Sequence, residues 1–111
     1  MSPARLPAAL LEASVTIAEL AGTGSRVGQQ YGEPVTRRAH VEHRARLVID
    51  DRPDSETRGQ EVTATALVVT QIEHYAAPGS RVTVDGKSLQ IITAAAHRHP
   101  RAPQHAEHWA G

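Results

Sequence analysis

The stretch Pro78–Arg98, PGSRVTVDGKSLQIITAAAHR, constrains this chain more than any other part of it. It reads as a turn, a strand, the dipeptide Asp85-Gly86 and a second strand. Asp-Gly between alternating apolar runs is a strong hairpin signal, because a type I′ turn needs positive φ at both central residues. The register follows from a two-residue loop. Val84 then faces Lys87, and Val82 faces Leu89 on the same side of the sheet. The second strand continues through Ile91, Ile92 and Ala96.

The rest of the chain reads as short strands separated by turn signals. Ser14–Leu20 alternates Val15 and Ile17 with small or polar residues and predicts a strand. Ala21–Pro34 is rich in Gly, Ser and Gln and predicts a loop. Val35–Ile49 predicts a long second strand. One face carries Val35, Arg37, Ala39, Val41, His43, Ala45, Leu47 and Ile49; the other carries Thr36, Arg38, His40, Glu42, Arg44, Arg46 and Val48. A strand of that length calls for a bend or bulge. Asp50–Gln60, DDRPDSETRGQ, is a charged loop with no apolar anchor, longer than most hairpin loops. Glu61–Gln71 is a third strand with apolar residues on both faces. His74–Pro78 connects it to the hairpin. His97–Gln104 predicts a proline-containing loop, and Ala106–Ala110 a last short strand anchored by Trp109. Residues 1–13 read equally as a short helix or an arm, and residues 14–111 as one domain. The fold class is therefore all-β. The architecture is a small antiparallel β-barrel of five to six strands, with a long loop between the second and third.

Composition narrows the function classes. The 111 residues carry 12 Lys+Arg and 12 Asp+Glu, so net charge is zero, unlike the basic excess of a dedicated nucleic-acid binder. There is no cysteine, which excludes disulfides and thiol chemistry. No apolar run approaches the ~20 residues of a membrane-spanning helix, and no signal peptide is read at Met1–Leu6. Phenylalanine is absent and only Tyr31, Tyr75 and Trp109 are aromatic, so small aliphatic residues must form the core. A core of that kind predicts modest stability alone and a gain from assembly.

Candidate chemistry is sparse. His97, His99, His105 and His108 offer four imidazoles, enough for zinc on paper, but their spacing matches no known metal signature. Pro100 and Pro103 suggest a loose loop there, so these histidines read as solvated or interface residues, and no metal or other cofactor is assigned. Glu107 is the one carboxylate near them. His40 and His43 fall on opposite strand faces and do not converge. Asp50 and Asp51 pair in sequence, yet in a charged loop rather than a desolvated cleft. Gly22-Thr23-Gly24 is too short for a phosphate loop, and no nucleophile elbow is present. The expectation is a non-enzyme. Arg37, Arg38, Arg44 and Arg46 read as a solvated face or a contact surface.

Four segments in order, GEPVTRRAHVEHRARLVID, GQEVTATALVV, PGSRVTVDGKSLQIITAAAHR and HAEHWA, resemble the head-to-tail stopper, or head-closure, family of long-tailed bacteriophages. The resemblance runs from Gly32 to the end, with the Pro-Gly-Ser-Arg-Val-Thr-Val-Asp-Gly run as its most specific part. It implies a structural virion protein of the neck, made in the host cytoplasm, that forms a homo-oligomeric ring, typically of twelve subunits. The implied partners are the portal or adaptor protein on one side and the tail terminator or tail tube on the other, with transient contact to packaged double-stranded DNA. The loop that projects into the channel in such proteins matches Asp50–Gln60. Asp50, Asp51, Asp54 and Glu56 would then repel DNA, while Arg52 and Arg58 pair between subunits or touch phosphates. The arginines above, the late histidines and Trp109 become interface candidates, and barrel edges become places for strand addition. Another neck or tail protein, such as a tail terminator or minor tail protein, is the nearest alternative. A small histidine-based metal module is the alternative from a different class.

Overall fold

The structure, a computed structural model, describes residues 5–24, 28–98 and 103–111, with the side chains of 22–29 left out. Among the described residues eight strands form: β1 (Ala13–Ala18), β2 (Leu20–Gly24), β3 (Gly28–Tyr31), β4 (Val35–Ile49), β5 (Glu61–Thr70), β6 (Arg81–Val84), β7 (Lys87–His97) and β8 (His105–Ala110). Six of them close a barrel in the order β1-β4-β5-β8-β7-β6, and every pairing is antiparallel. No helix among the described residues is long and apolar enough to cross a membrane.

The barrel is the six-stranded form of the expected fold, and its hairpin follows the predicted register. Val82 pairs with Leu89 and Val84 with Lys87. Asp85 and Gly86 take φ of 50° and 79°, the left-handed pair that a type I′ turn requires. Val82 and Val84 point inward and join Val15, Ile17, Ala39, Val68, Ala76, Ile91 and Ala110 in the main core. These are small and β-branched residues, so the barrel interior is filled without a ring from Phe.

One expectation changes. The segment 21–34 is not a plain loop: β2 and β3 form a separate two-stranded hairpin. Its residues lack an apolar alternation, so periodicity did not mark them. What holds its base is tertiary: Leu20 donates its N–H to Ser80 Oγ at 3.0 Å, and the Arg81 guanidinium stacks on Tyr31 at 4.3 Å. β7 runs to His97 and β8 starts at His105, which places the expected proline-containing segment between these two strands; its residues 99–102 lie outside the described residues. In the N-terminal segment, described from Arg5 onward, one 3-10 turn forms at Ala8–Leu10. It is tied down by Gln71 Nε2 donating to the Leu6 carbonyl and by burial of Leu11.

The long β4 strand does contain a bulge, between His43 and Arg46. One extra residue reverses which side faces the barrel. Positions before it follow the predicted alternation, with Ala39 fully buried. After it Val48 is buried, while Leu47 and Ile49 are 63% and 48% exposed. The two faces read from uninterrupted alternation are therefore exchanged past the bulge. A second bulge lies between Ile91 and Thr93 on β7. Val48 and Ile92 pack with Ala64, Leu67 and Trp109 in a second apolar cluster.

Candidate functional site

The loop joining β4 to β5, Asp50–Gln60, is built around one carboxylate. Asp50 is fully buried. The Arg52 side chain donates to it through Nε and Nη2, both at 2.9 Å, and the Arg52 backbone N–H adds a contact of 3.0 Å. That last contact is an Asx turn, the local geometry that an Asp two residues ahead favours. Ser55 Oγ donates at 2.6 Å, and Thr57 Oγ1 donates to the same oxygen. The loop backbone closes on itself, with Asp50 N–H to Gln60 O at 2.9 Å and Gly59 N–H to Asp50 O at 2.8 Å. Asp54 and Gly59 supply the positive φ that the tight path needs.

This arrangement fixes the charges. Arg52 above all, with the two hydroxyls, holds the Asp50 carboxyl far below the usual carboxylate range against its own burial, and Asp50 raises Arg52 in turn. The loop is also fastened to the barrel. Arg52 Nη1 donates to Gln90 Oε1 at 2.9 Å, Asp51 N–H to Ile92 O at 3.1 Å, and Thr93 Oγ1 to Asp51 Oδ2 at 2.7 Å. Asp50 is thus not a channel-facing acid, and its loop is not a loose one. Asp51, Asp54, Glu56 and Arg58 remain exposed, while Arg52 is half-buried. Ser55 and Thr57 are the residues that sequence reasoning passed over. The signal available was an Asp followed within seven residues by two hydroxyls.

The four arginines divide between the ends of β4 and do not form one patch. Arg38 Nε donates to the Leu11 carbonyl at 3.0 Å. Arg37 lines a polar cleft with Glu19, Glu33, Glu73 and His74. Burial, and then the charge of Arg37, lowers the His74 pKa. Arg44 and Arg46 lie over the Trp109 ring, 5.7 and 5.0 Å from its centroid. Trp109 is buried beneath them, so it is a packing anchor rather than an open contact residue.

The late histidines separate as well. His108 is fully buried in the barrel, which removes it from the interface candidates. Its Nδ1 donates to Val68 O at 2.9 Å and its Nε2 accepts the Ala76 N–H at 3.0 Å. Both nitrogens are satisfied in the neutral ring, and burial holds its pKa below the usual histidine value. His97 and His105 are cross-strand partners on β7 and β8. Their rings stack at 4.7 Å, and the two Glu107 carboxylate oxygens lie 3.1 and 3.2 Å from their Nε2 atoms. His99 lies outside the described residues.

One further surface follows from the topology. Closing the barrel pairs strands that sequence reasoning left with open edges. Past Ala39, however, β4 has only β5 as a strand neighbour among the described residues. That free edge carries the exposed Leu47 and Ile49. An unpaired edge with apolar side chains is a template for another strand.

No protein-family model, no curated protein and no solved structure matches this chain.

Proposed function

We propose that this chain is a non-enzymatic, ring-forming connector subunit of a long-tailed phage neck, acting as a head-to-tail stopper. The observation that supports it best is the free edge of β4 beyond Ala39, with Leu47 and Ile49 exposed beside it. A closed barrel has few places to add a neighbour, and this edge is one. Contact through one edge on each subunit, against a different surface on the next, is the heterologous geometry that closes rings. The segment Gly32–Asp50 that contains this edge also opens the family resemblance. The loop that follows it suits a channel position in a specific way. Its buried Asp50 hub braces the turn while Asp51, Asp54 and Glu56 keep an acidic surface towards solvent. Acidic groups repel a DNA backbone and favour passage over sticking.

The test has two parts. Particles assembled without this protein are imaged by electron microscopy. DNA-leaking heads beside separate, finished tails are expected; complete virions would overturn the connector reading. The purified chain is then sized with and without the double change Leu47→Lys and Ile49→Lys. Rings in the parent and monomers in the variant are expected. Rings that persist in the variant would remove the β4 edge from the assembly.

A further inference from the structure

We propose that His97, His105 and Glu107 form a zinc site that clamps the ends of β7 and β8. The argument starts from strand geometry. His97 and His105 are directly opposite in the antiparallel ladder, and Glu107 lies two residues beyond His105 on the same face. Side chains so placed have Cβ atoms roughly 4.5–5.5 Å apart and can converge on one point. They do: one ligating atom from each of the three residues lies within 4.8 Å of the others. Glu107 Oε2 is 3.1 Å from His97 Nε2, and Oε1 is 3.2 Å from His105 Nε2. Donors about 2.0–2.1 Å from a tetrahedral zinc stand roughly 3.4 Å from one another, so small side-chain rotations complete the set.

The hydrogen bonding also turns one ring nitrogen of His105 towards the cluster. His105 Nδ1 lies 3.1 Å from the Pro103 carbonyl, which can only accept. Nδ1 therefore carries the ring hydrogen. In the neutral ring, Nε2 is then a bare lone pair aimed at a carboxylate oxygen. An Nδ1–H bonded to a backbone carbonyl is also the arrangement that orients a histidine for metal ligation through Nε2. Two imidazoles and one carboxylate suit zinc better than calcium or magnesium, which take oxygen ligands. The three side chains are 45%, 24% and 35% exposed for His97, His105 and Glu107, leaving an open fourth position for water or an outside ligand. His97 and His105 make the last pair of the β7–β8 ladder, so a bound metal would fasten the strand ends across the connection between them. This site does not depend on the connector reading.

The full-length chain, stripped of metal with a chelator that is then removed, is titrated with Zn²⁺ by calorimetry and with Co²⁺ by visible absorbance. One ion per chain and the intense bands of tetrahedral cobalt are expected. His105→Ala and Glu107→Gln should each weaken Zn²⁺ binding at least tenfold, while His43→Ala leaves it unchanged. Zinc at a hundred times its dissociation constant should raise the melting midpoint by about 10 °C in the parent and in His43→Ala only. Circular dichroism checks that each variant is folded. Because the three side chains are partly exposed, the variants should keep the parent spectrum. Absence of stoichiometric zinc in the parent would overturn the site. Zinc binding retained in a folded His97→Ala, His105→Ala double variant would place the metal elsewhere and equally overturn it.

Discussion

Replacing Asp50 by asparagine keeps the side-chain shape and removes the charge. In the parent, five donor contacts converge on this carboxylate: three from Arg52 and one each from Ser55 and Thr57. Asparagine has a single acceptor oxygen and turns an NH₂ towards the other donors. Removing one partner of a buried ion pair costs about 3–5 kcal/mol, chiefly because the remaining charge is left uncompensated. Arg52 is 21% exposed and can recover some hydration, which places Asp50→Asn near the lower figure, about 3 kcal/mol. A chain of 111 residues has a total stability of roughly 6–17 kcal/mol, so the loss is a large share. Urea unfolding at pH 7, followed by circular dichroism, measures it. The pH dependence supplies a second reading. The folded-state pKa of Asp50 is depressed, so its contribution is complete above the unfolded value near 4 and is lost as pH falls through the acid range. The gap between parent and variant should therefore narrow steadily below pH 4. A variant within 1 kcal/mol of the parent at pH 7, or a gap that acid leaves untouched, would refute the hub.

Two other predictions concern the barrel and its turns. His108 is neutral and its folded-state pKa is lowered, so the unfolded chain binds the extra proton first; stability should be full above about pH 6.5 and fall below it by up to ~1.4 kcal/mol per pH unit. Urea midpoints of the parent and His108→Asn between pH 7.5 and 5 check this, and equal slopes would refute it. Gly79 has φ of 96°, and a Cβ there would meet Leu20 Cδ2 at 2.8 Å and Pro53 Cδ at 3.1 Å; Gly86 has φ of 79° with nothing within 4 Å. Gly86→Ala should cost about 1 kcal/mol of backbone strain and Gly79→Ala about 1–2 kcal/mol more. Equal thermal midpoints would show that the Asp50–Gln60 loop does not pack on this turn.

The hairpin at Asp85-Gly86 was legible because its register depends on two adjacent residues and their φ preference. The strands β4, β5 and β7 were legible for a related reason: alternation is a local property, and these residues are rich in Val, Ile and Thr. The charged nature of Asp50–Gln60 was equally plain. Its internal order was not, because a buried carboxylate differs from a solvated one only in what surrounds it. The same holds for the late histidines. Spacing grouped His97, His99, His105 and His108, whereas pairing of β7 with β8 groups His97 with His105 and Glu107 and sends His108 into the core.

By itself, then, the sequence determined the antiparallel barrel class, the hairpin register and the small-residue character of the core. Each follows from local conformational preference or from a period of two. Tertiary structure decided where β4 bulges, and hence that Val48 faces inward while Leu47 and Ile49 face out. It also decided the β2–β3 hairpin, the Asp50 hub and the partners of each histidine. These depend on which distant strands meet and in what register, and a one-residue shift in that register moves every later side chain to the other face.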